Sequence, residues 1–483
     1  RDIYQIFEYG LPSRHRTPRT MMTGEQYLAS LDDGRATYFE GRKIENILDD
    51  KIMGESARLI AEGYDKLYRP GPDATSPLMS IPRSAEDLKA RLPVVSDADI
   101  VANTTNQSIM TLMTAAGRIG DEHPEYARRI QAWIEDAQRR DIRITECITD
   151  GKGDRSLSPG KQADPDAYTR VVERRPDGVV IRGAKLHITG ASLGHETMVI
   201  PTKAMKPGEE DYAIACAVPV NAPGVKIVNT SYAPRHEDDR VFPVSRQNHM
   251  PEGFVIFDDV FVPEERIFLN GETKHAGQFA HSLGLWERLG GLTFMANEAD
   301  ELVGFAQLIA EANGLAKVQH VREKISEMII HATLIRGALE AAIANCVIGD
   351  NGAAFPSELY TNAGKYQAAT QYNMMCRHLH DIAGGSVLTA PAIADLENNE
   401  VGPLVRKYMT ANPEIDGEYR MKLFHAIRDL TADAMGGWRY VTNIQAGGGL
   451  YAQRIVTRKH YDMEHAKQKA LHAARMLPEQ AGE

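Results

Sequence analysis

The sequence predicts an α+β protein in which a β domain is flanked, before and after it in the chain, by helices. Three observations predict this. Apolar residues recur at three-and-four spacing from about Thr23 to Asp141. The period switches to alternation between about Ile142 and Asn270, and long amphipathic segments return from about Ala276 onward. The resulting division is an N-terminal helical domain over 1–141, a central β-barrel or β-sandwich domain over 142–275, and a C-terminal helical bundle over 276–483.

Each block carries its own local signals. In the first, "TGEQYLASL" opens with Thr23 three residues before Gln26, the spacing of a capping box. "ESARLIAEGYDKLY" and "PEYARRIQAWIEDAQRRD" each place an apolar stripe on a charged helix. In the second, "YTRVVERRPDGVVIRGAKLHITG" holds two alternating segments joined around Pro176-Asp177-Gly178, a hairpin signal. "ETMVIPTKAM", "DYAIACAVPV" and "GFVIFDDVFVP" read as further strands. In the third, segments such as "VREKISEMIIHATLIRGALEAAIANCVIG" are of bundle type, a later helix spans roughly Gly417 to Met435, and "NIQAGGGLYAQR" interrupts the pattern. This order is the layout of the acyl-CoA dehydrogenase architecture, in which a flavin lies between the β domain and the helices; layout alone makes it an analogy.

Composition narrows the function classes. At 483 residues the chain can hold two or three domains and a large core. Hydrophobic content of 43% and charged content of 25% are those of an ordinary globular protein. The net charge of -11 disfavours nucleic acid or an anionic membrane as partner. The basic run "SRHRTPRT", Ser13 to Thr20, is short and broken by proline, and reads as an arm packing on another subunit. No apolar run approaches the roughly 20 residues of a membrane-spanning helix, and no signal peptide is evident. Cys147, Cys216, Cys346 and Cys376 are scattered, without the spacings of a zinc or ferredoxin-type site. A reduced, cytoplasmic protein is expected.

The stretch "GKGDRS", Gly151 to Ser156, resembles a phosphate loop but satisfies neither familiar pattern. A Walker loop needs Ser or Thr directly after its Lys, and here Gly153 follows Lys152. A dinucleotide fingerprint needs a following helix, which Pro159, Gly160 and Pro165 forbid. An exposed turn is an equally good local reading. His378 and His380 would point about 200° apart on a helix, His460 and His465 are off one face, and neither HExxH nor G-x-S-x-G occurs, so no metal site and no serine hydrolase is predicted. Three glycine-containing loops remain: "GKGDRS", "HITGAS" at His187 to Ser192, and "QAGGGLYAQR" at Gln445 to Arg454. Together they suit a large anionic cofactor, because backbone N–H groups approach closely at Gly and Arg pairs with phosphate. A flavin held by a non-Rossmann fold is the reading they favour.

The run from Thr149 to Met205, with "VIFDDVFVPEERIFL", "DIAGGSVLTAPAIADL", "QAGGGLYAQRI" and "MTGEQYLASL", resembles the 4-hydroxyphenylacetate 3-hydroxylase (HpaB-type) flavoprotein family across nearly the whole chain, and within it most resembles the 4-hydroxybutyryl-CoA dehydratase branch. The resemblance implies an acyl-CoA-dehydrogenase-like fold, a homotetramer and bound FAD, with reduced FADH2 as the working form. It implies flavin contacts at Glu146, Cys147, Ile148, Lys152, Gly153, Asp154 and Arg155, a Thr beside the flavin ring at Thr189, and a late loop, Ala446, Gly447, Gly448 and Gly449, that reaches the flavin across a subunit boundary. Substrate contacts are expected at Asn106, Gln107, Ser108 and Thr202.

Departures from the family pattern decide between its branches. The dehydratase branch holds a [4Fe-4S] cluster on three Cys and one His. The matching stretch "IVANTTNQSIMTLM" has no Cys, and the later positions read Leu285 and Leu292, so no iron-sulfur cluster is expected. The phenol-hydroxylating branch uses a His where this chain has Glu146, and an Arg and a Tyr in the region of Thr104 to Thr111 that are missing here. Glu146 is therefore the catalytic candidate, as a base or as a group orienting an amine or hydroxyl; a structural ion pair is as good a reading. The resulting expectation is a two-component flavin-dependent monooxygenase using reduced FAD, O2 and a small-molecule substrate, with a separate flavin reductase. The alternative is a cluster-free FAD-dependent acyl-CoA dehydratase or isomerase.

Overall fold

The computed structural model describes residues 20–234 and 238–476. The arm expected over Ser13 to Thr20 lies, Thr20 apart, outside the described residues. The helices are α1 (Gly24–Ser30), α2 (Lys51–Leu67), α3 (Ala85–Asp97), α4 (Ile100–Ile119), α5 (Pro124–Arg140), α6 (Ser245–Asn248), α7 (Thr273–Ala312), α8 (Gln319–Ala344), α9 (Glu358–Ala383), α10 (Ser386–Thr389), α11 (Gly402–Met409), α12 (Gly417–Thr431), α13 (Ala434–Gln445), α14 (Gly449–His460) and α15 (Met463–Ala473). The strands are β1 (Ala36–Phe39), β2 (Arg42–Ile44), β3 (Ile144–Cys147), β4 (Arg170–Arg175), β5 (Gly178–Thr189), β6 (Glu196–Val199), β7 (Ile214–Pro219), β8 (Val225–Thr230), β9 (Glu252–Pro263), β10 (Ile267–Asn270), β11 (Val347–Ile348) and β12 (Ala354–Phe355). None of the described helices is long and apolar enough to cross a membrane.

The chain forms two compact units. The first contains the described residues up to Ile81, Asp97–Ser231 and His249–Ser282; the second contains Pro82–Ser96, the described part of Tyr232–Asn248, and the chain from Leu283 onward. In the first unit a six-stranded sheet, order β2-β1-β8-β9-β5-β4, faces a four-stranded sheet, order β10-β7-β6-β3. Val179, Ile181 and Phe257 of one sheet and Cys147, Val199 and Cys216 of the other fill the space between them. Each fully buried aliphatic side chain there contributes about 1.5–3 kcal/mol. This is the sandwich form of the expected β domain, with no closed barrel among the described strands.

The predicted hairpin is present: Arg175 pairs with Gly178 across Pro176-Asp177. The capping box is present too, with Gln26 N donating to Thr23 Oγ1 (3.3 Å) and Thr23 N donating to Gln26 Oε1 (2.9 Å). β1 and β2 depart from the helical reading of the first block. β1 runs parallel to β8, Thr37 opposite Ile227, so a short segment with little periodicity of its own is recruited by a distant sheet edge. Two helices cover the outer face of the four-stranded sheet. α4 is capped by Asp99, whose Oδ1 accepts from Ala102 N (2.8 Å). Asp99 Oδ2 also meets the buried Arg143 guanidinium at 3.0 Å, just before β3. α5 is seated by Trp133 Nε1 donating to Glu196 Oε2 at 2.8 Å.

The second unit is the bundle of α8, α9 and the later helices, together with most of α7. α9 lies beside α8 and α14, and α12 beside α13. His378 and His380 of α9 face apart: Nε2 of the first meets Glu327 and Nε2 of the second meets Thr431, each at 2.6 Å.

Candidate functional site

In the first unit the site is organised by β3. Its alternation sends Cys147 into the core between the sheets, fully buried, where burial pushes the thiol up to about 12. Glu146 therefore faces the other side, where α4 packs, and is half-buried. Of this expected flavin-contacting pair, Cys147 therefore offers only its backbone, whereas Glu146 keeps its side chain on the α4 side.

α4 is fastened to β3 through hydroxyls. Thr104 Oγ1 donates to Ile144 O (2.8 Å), and Ile144 N donates to Thr105 Oγ1 (2.7 Å). Ser108 and Thr111 continue that helix face at three-and-four spacing. Both side chains are completely buried, yet Ser108 Oγ and Thr111 Oγ1 have no hydrogen-bond partner. Buried hydroxyls are nearly always paired, so two unpaired hydroxyls on one helix face make this face the candidate for a polar contact. Gln107 is also buried and Asn106 half-buried. Thr202 follows Ile200, whose N–H donates to Cys147 O at 3.1 Å, which carries that stretch past the end of β3.

The loop after β3 is held from beneath by an ion pair. Lys185 Nζ lies 2.9 Å from Asp150 Oδ1, both side chains 2% exposed, and donates to the carbonyls of Ile148 and Ile200. Asp150 also accepts from Thr169 N at 2.8 Å. Beyond it the "GKGDRS" stretch turns through two left-handed residues, Lys152 (φ 67°) and Gly153 (φ 51°). A Cβ at Gly153 would stand 2.3 Å from Gln162 Oε1, the atom that accepts from Asp154 N. Asp154 is spent within the turn, accepting from Ser156 N and Oγ (2.9 and 2.7 Å). Lys152 and Arg155 are the cationic side chains of this turn. Partial burial, with the charges of Arg155 and Lys185 nearby, holds the Lys152 ammonium below its usual range. The following 3₁₀ turns at Pro159–Lys161 and Pro165–Ala167 replace any phosphate-binding helix.

Thr189 ends β5, and its hydroxyl donates to Glu252 Oε2 at 2.9 Å. In this arrangement it presents lone pairs, and a donor to a ring edge would require it to leave Glu252.

In the second unit the late loop is a turn between α13 and α14. Ala446 is extended, and Gly447, Gly448 and Gly449 follow at φ 77°, 88° and 68°. Beneath it lies a group of buried charges that the sequence reading did not single out. Arg288 Nε donates to Gly447 O (2.8 Å) and Nη1 to Asn362 Oδ1 (2.9 Å). Lys365 Nζ donates to Asn443 O at 2.6 Å, and Asn443 Nδ2 to Glu298 Oε2 at 2.9 Å. Burial lowers the Lys365 ammonium to about 8 and raises the Glu287 and Glu298 carboxyls. The sequence signal was a Lys inside the apolar stripe of α9, one position after Gly364. Leu285 and Leu292, at the expected cluster positions, are buried on α7.

The family profile for the 4-hydroxyphenylacetate 3-hydroxylase N terminal matches residues 23–269, and that for its C terminal matches residues 276–475. The chain is 27% identical over 500 residues to a 4-hydroxybutyryl-CoA dehydratase/vinylacetyl-CoA-Delta-isomerase of Clostridium aminobutyricum, covering 93% of this chain and 98% of that one. It is 25% identical over 438 residues to a 4-hydroxyphenylacetate 3-monooxygenase oxygenase component of a Geobacillus species, covering 86% and 88%. The fold is similar to the oxygenase component of 4-hydroxyphenylacetate 3-monooxygenase solved with FAD and 4-hydroxyphenylacetate, with a TM-score of 0.84, 22% identity, and 94% and 98% of the two chains covered.

Proposed function

The chain belongs to the 4-hydroxyphenylacetate 3-hydroxylase family, and on that premise we propose that it is an FAD-dependent oxygenase component that takes reduced FAD from a separate reductase and oxygenates a small organic molecule with O2. The residues suit FAD on their own chemistry. Lys152 and Arg155 are cations on a tight left-handed turn, and the turn at Gly447–Gly449 has no side chains to obstruct a close approach at the N-terminus of α14. Reduced FAD, when bound, supplies the electrons that activate O2. The resemblance assigns the Gly447–Gly449 turn to the cofactor of a neighbouring subunit in a homotetramer.

The chain's own part is to bind, orient and move a proton. Ser108 and Thr111 supply buried hydroxyls for a polar group of the substrate, with Asn106, Gln107 and Thr202 at its margins. Glu146, on the same side of β3 as α4, accepts a proton from a substrate hydroxyl or amine, or orients it. The layer of α4 and α5 over the sheet excludes bulk water from that face.

The observation that carries the choice between branches is the donor set on α7. Leu285 and Leu292 are buried and apolar, and leucine cannot ligate iron. The described cysteines lie on β3, on β7, at the end of α8 and on α9. We therefore hold that no iron-sulfur cluster is present. The dehydratase relative, matched over 98% of its length, favours a second reading, a cluster-free FAD enzyme acting on an acyl-CoA thioester.

One experiment separates them. The purified chain is supplied with reduced FAD by a flavin reductase under ¹⁸O2 and given a panel of phenols and amines. Incorporation of one ¹⁸O into a product, dependent on the chain, is the expected result. Turnover of a hydroxyacyl-CoA under strict anaerobiosis, with no ¹⁸O incorporation from any panel member, would establish the second reading instead.

A further inference from the structure

Away from these residues, the first unit gathers a second group of side chains whose chemistry is that of a metal site. Glu122 and His123 form the turn between α4 and α5, and His275 stands in the first turn of α7. One ligand atom from each lies within 4.8 Å of the other two. His275 is 3% exposed, and neither of its ring nitrogens has a hydrogen-bond partner. Its Nε2 lies 3.5 Å from Glu122 Oε2, and its ring meets that of His123 edge-on with centroids 5.2 Å apart. A buried imidazole whose Nδ1 is unpaired and whose Nε2 has only a long contact to Glu122 is costly unless something occupies the space between these groups.

The surroundings are already arranged for an ion. His123 Nδ1 lies 3.2 Å from Glu125 Oε1. A carboxylate holding Nδ1–H leaves Nε2 as the lone-pair atom, the usual support of a zinc-binding histidine. Contacts outside the ligand atoms fix the two segments together: Arg118 Nη1 donates to Ser282 Oγ at 3.0 Å, and the Tyr126 hydroxyl donates to Glu272 Oε1 at 3.0 Å. Lys274 pairs with Glu122, and both side chains are more than half exposed, so this weak surface pair is readily displaced by a cation arriving from solvent.

We propose that Glu122, His123 and His275 bind one Zn²⁺ ion, with two imidazoles, one carboxylate and a water completing four-coordination. Two nitrogen donors and a single oxygen suit Zn²⁺ and are poor for Mg²⁺ or Ca²⁺, which take oxygen ligands. The ion clips the α4–α5 turn to the start of α7. Because the unfolded chain does not gather these ligands, binding stabilises the folded state. The site does not depend on the flavin assignment.

The test uses the full chain freed of metal by a chelator, with Co²⁺ as the spectroscopic probe and Zn²⁺ as the competitor. Expected are about one Co²⁺ per chain with the intense visible absorption of a low-coordinate nitrogen site, its loss on adding Zn²⁺, and a higher Tm with Zn²⁺. H275Q and H123Q each abolish all three effects; H123Q, altering a half-exposed turn residue, keeps the test valid if H275Q fails to fold. E125Q weakens Zn²⁺ binding roughly tenfold through the lost orientation of His123, and K274M strengthens it by removing the competing ammonium. Co²⁺ uptake and Tm responses unchanged in H123Q, or octahedral Co²⁺ spectra only, overturn the proposal.

Discussion

The two candidate regions differ in how their buried polar groups are treated. On α4 of the first unit, Ser108 Oγ and Thr111 Oγ1 are buried and unpaired. Around α7, α9 and α13 of the second unit, the buried Arg288 and Lys365 and the partly buried Glu298 each have a protein partner within 2.9 Å. The difference separates unsatisfied hydroxyls on the proposed substrate face from a scaffold that holds a turn in place. An unpaired buried hydroxyl costs free energy until a ligand arrives, whereas a paired charge already contributes to a defined conformation.

The largest expected effect tests the first region. Glu146→Gln is expected to lower turnover about 100-fold or more while leaving Tm unchanged; parallel loss of Tm, followed by circular dichroism, would instead make the carboxylate a structural partner. The second effect tests the scaffold through pH. The Lys365 ammonium is held at about 8 in the folded chain against 10.5 for its usual value. Between those values the unfolded state carries more protons, so stability rises with pH across that window, and below about 8 the burial penalty is present in full. Comparison with Lys365→Met should reveal a wild-type gain of about 3 kcal/mol between pH 8 and 10.5, read as unfolding free energy at each pH; parallel curves would mean that the lysine is not held in this way.

A smaller effect is expected at the turn. A side chain at Gly447 adopts φ 77° and places its Cβ 2.8 Å from Arg288 Cγ. Gly447→Val should cost about 2 kcal/mol from the left-handed backbone, and FAD retained on gel filtration should fall with it. Smallest of all is Ser108→Ala. Removing an unpaired hydroxyl should change stability by less than about 0.5 kcal/mol, or increase it, while weakening substrate binding in a titration. A clear destabilisation would show that the hydroxyl serves the fold and would erase the contrast between the regions.

Much of this was legible in the chain. The hairpin at Pro176-Asp177 and the Thr23 capping box follow from residues a few positions apart, and both are present. The "GKGDRS" turn was readable as a loop because Pro159 and Pro165 rule out a helix. The direction of Cys147 was not readable: period-two alternation pairs it with either face until the second sheet is in place. Arg288 and Lys365 were hidden for a similar reason, since a charged residue in an amphipathic helix reads as solvent-facing until α9, α7 and the Gly447 turn close over it. His123 and His275 were passed over among many histidines because no local spacing links them.

The sequence by itself determined the order of helices and strands, the turn chemistry and the family, because periodicity, capping and glycine or proline preferences act within a few residues. The tertiary structure decided that β1 and β2 join the six-stranded sheet, that Glu146 rather than Cys147 faces α4, and that Glu122, His123 and His275 meet. Those outcomes depend on which distant segments bury one another, and burial sets the partners and the proton affinities on which the chemistry rests.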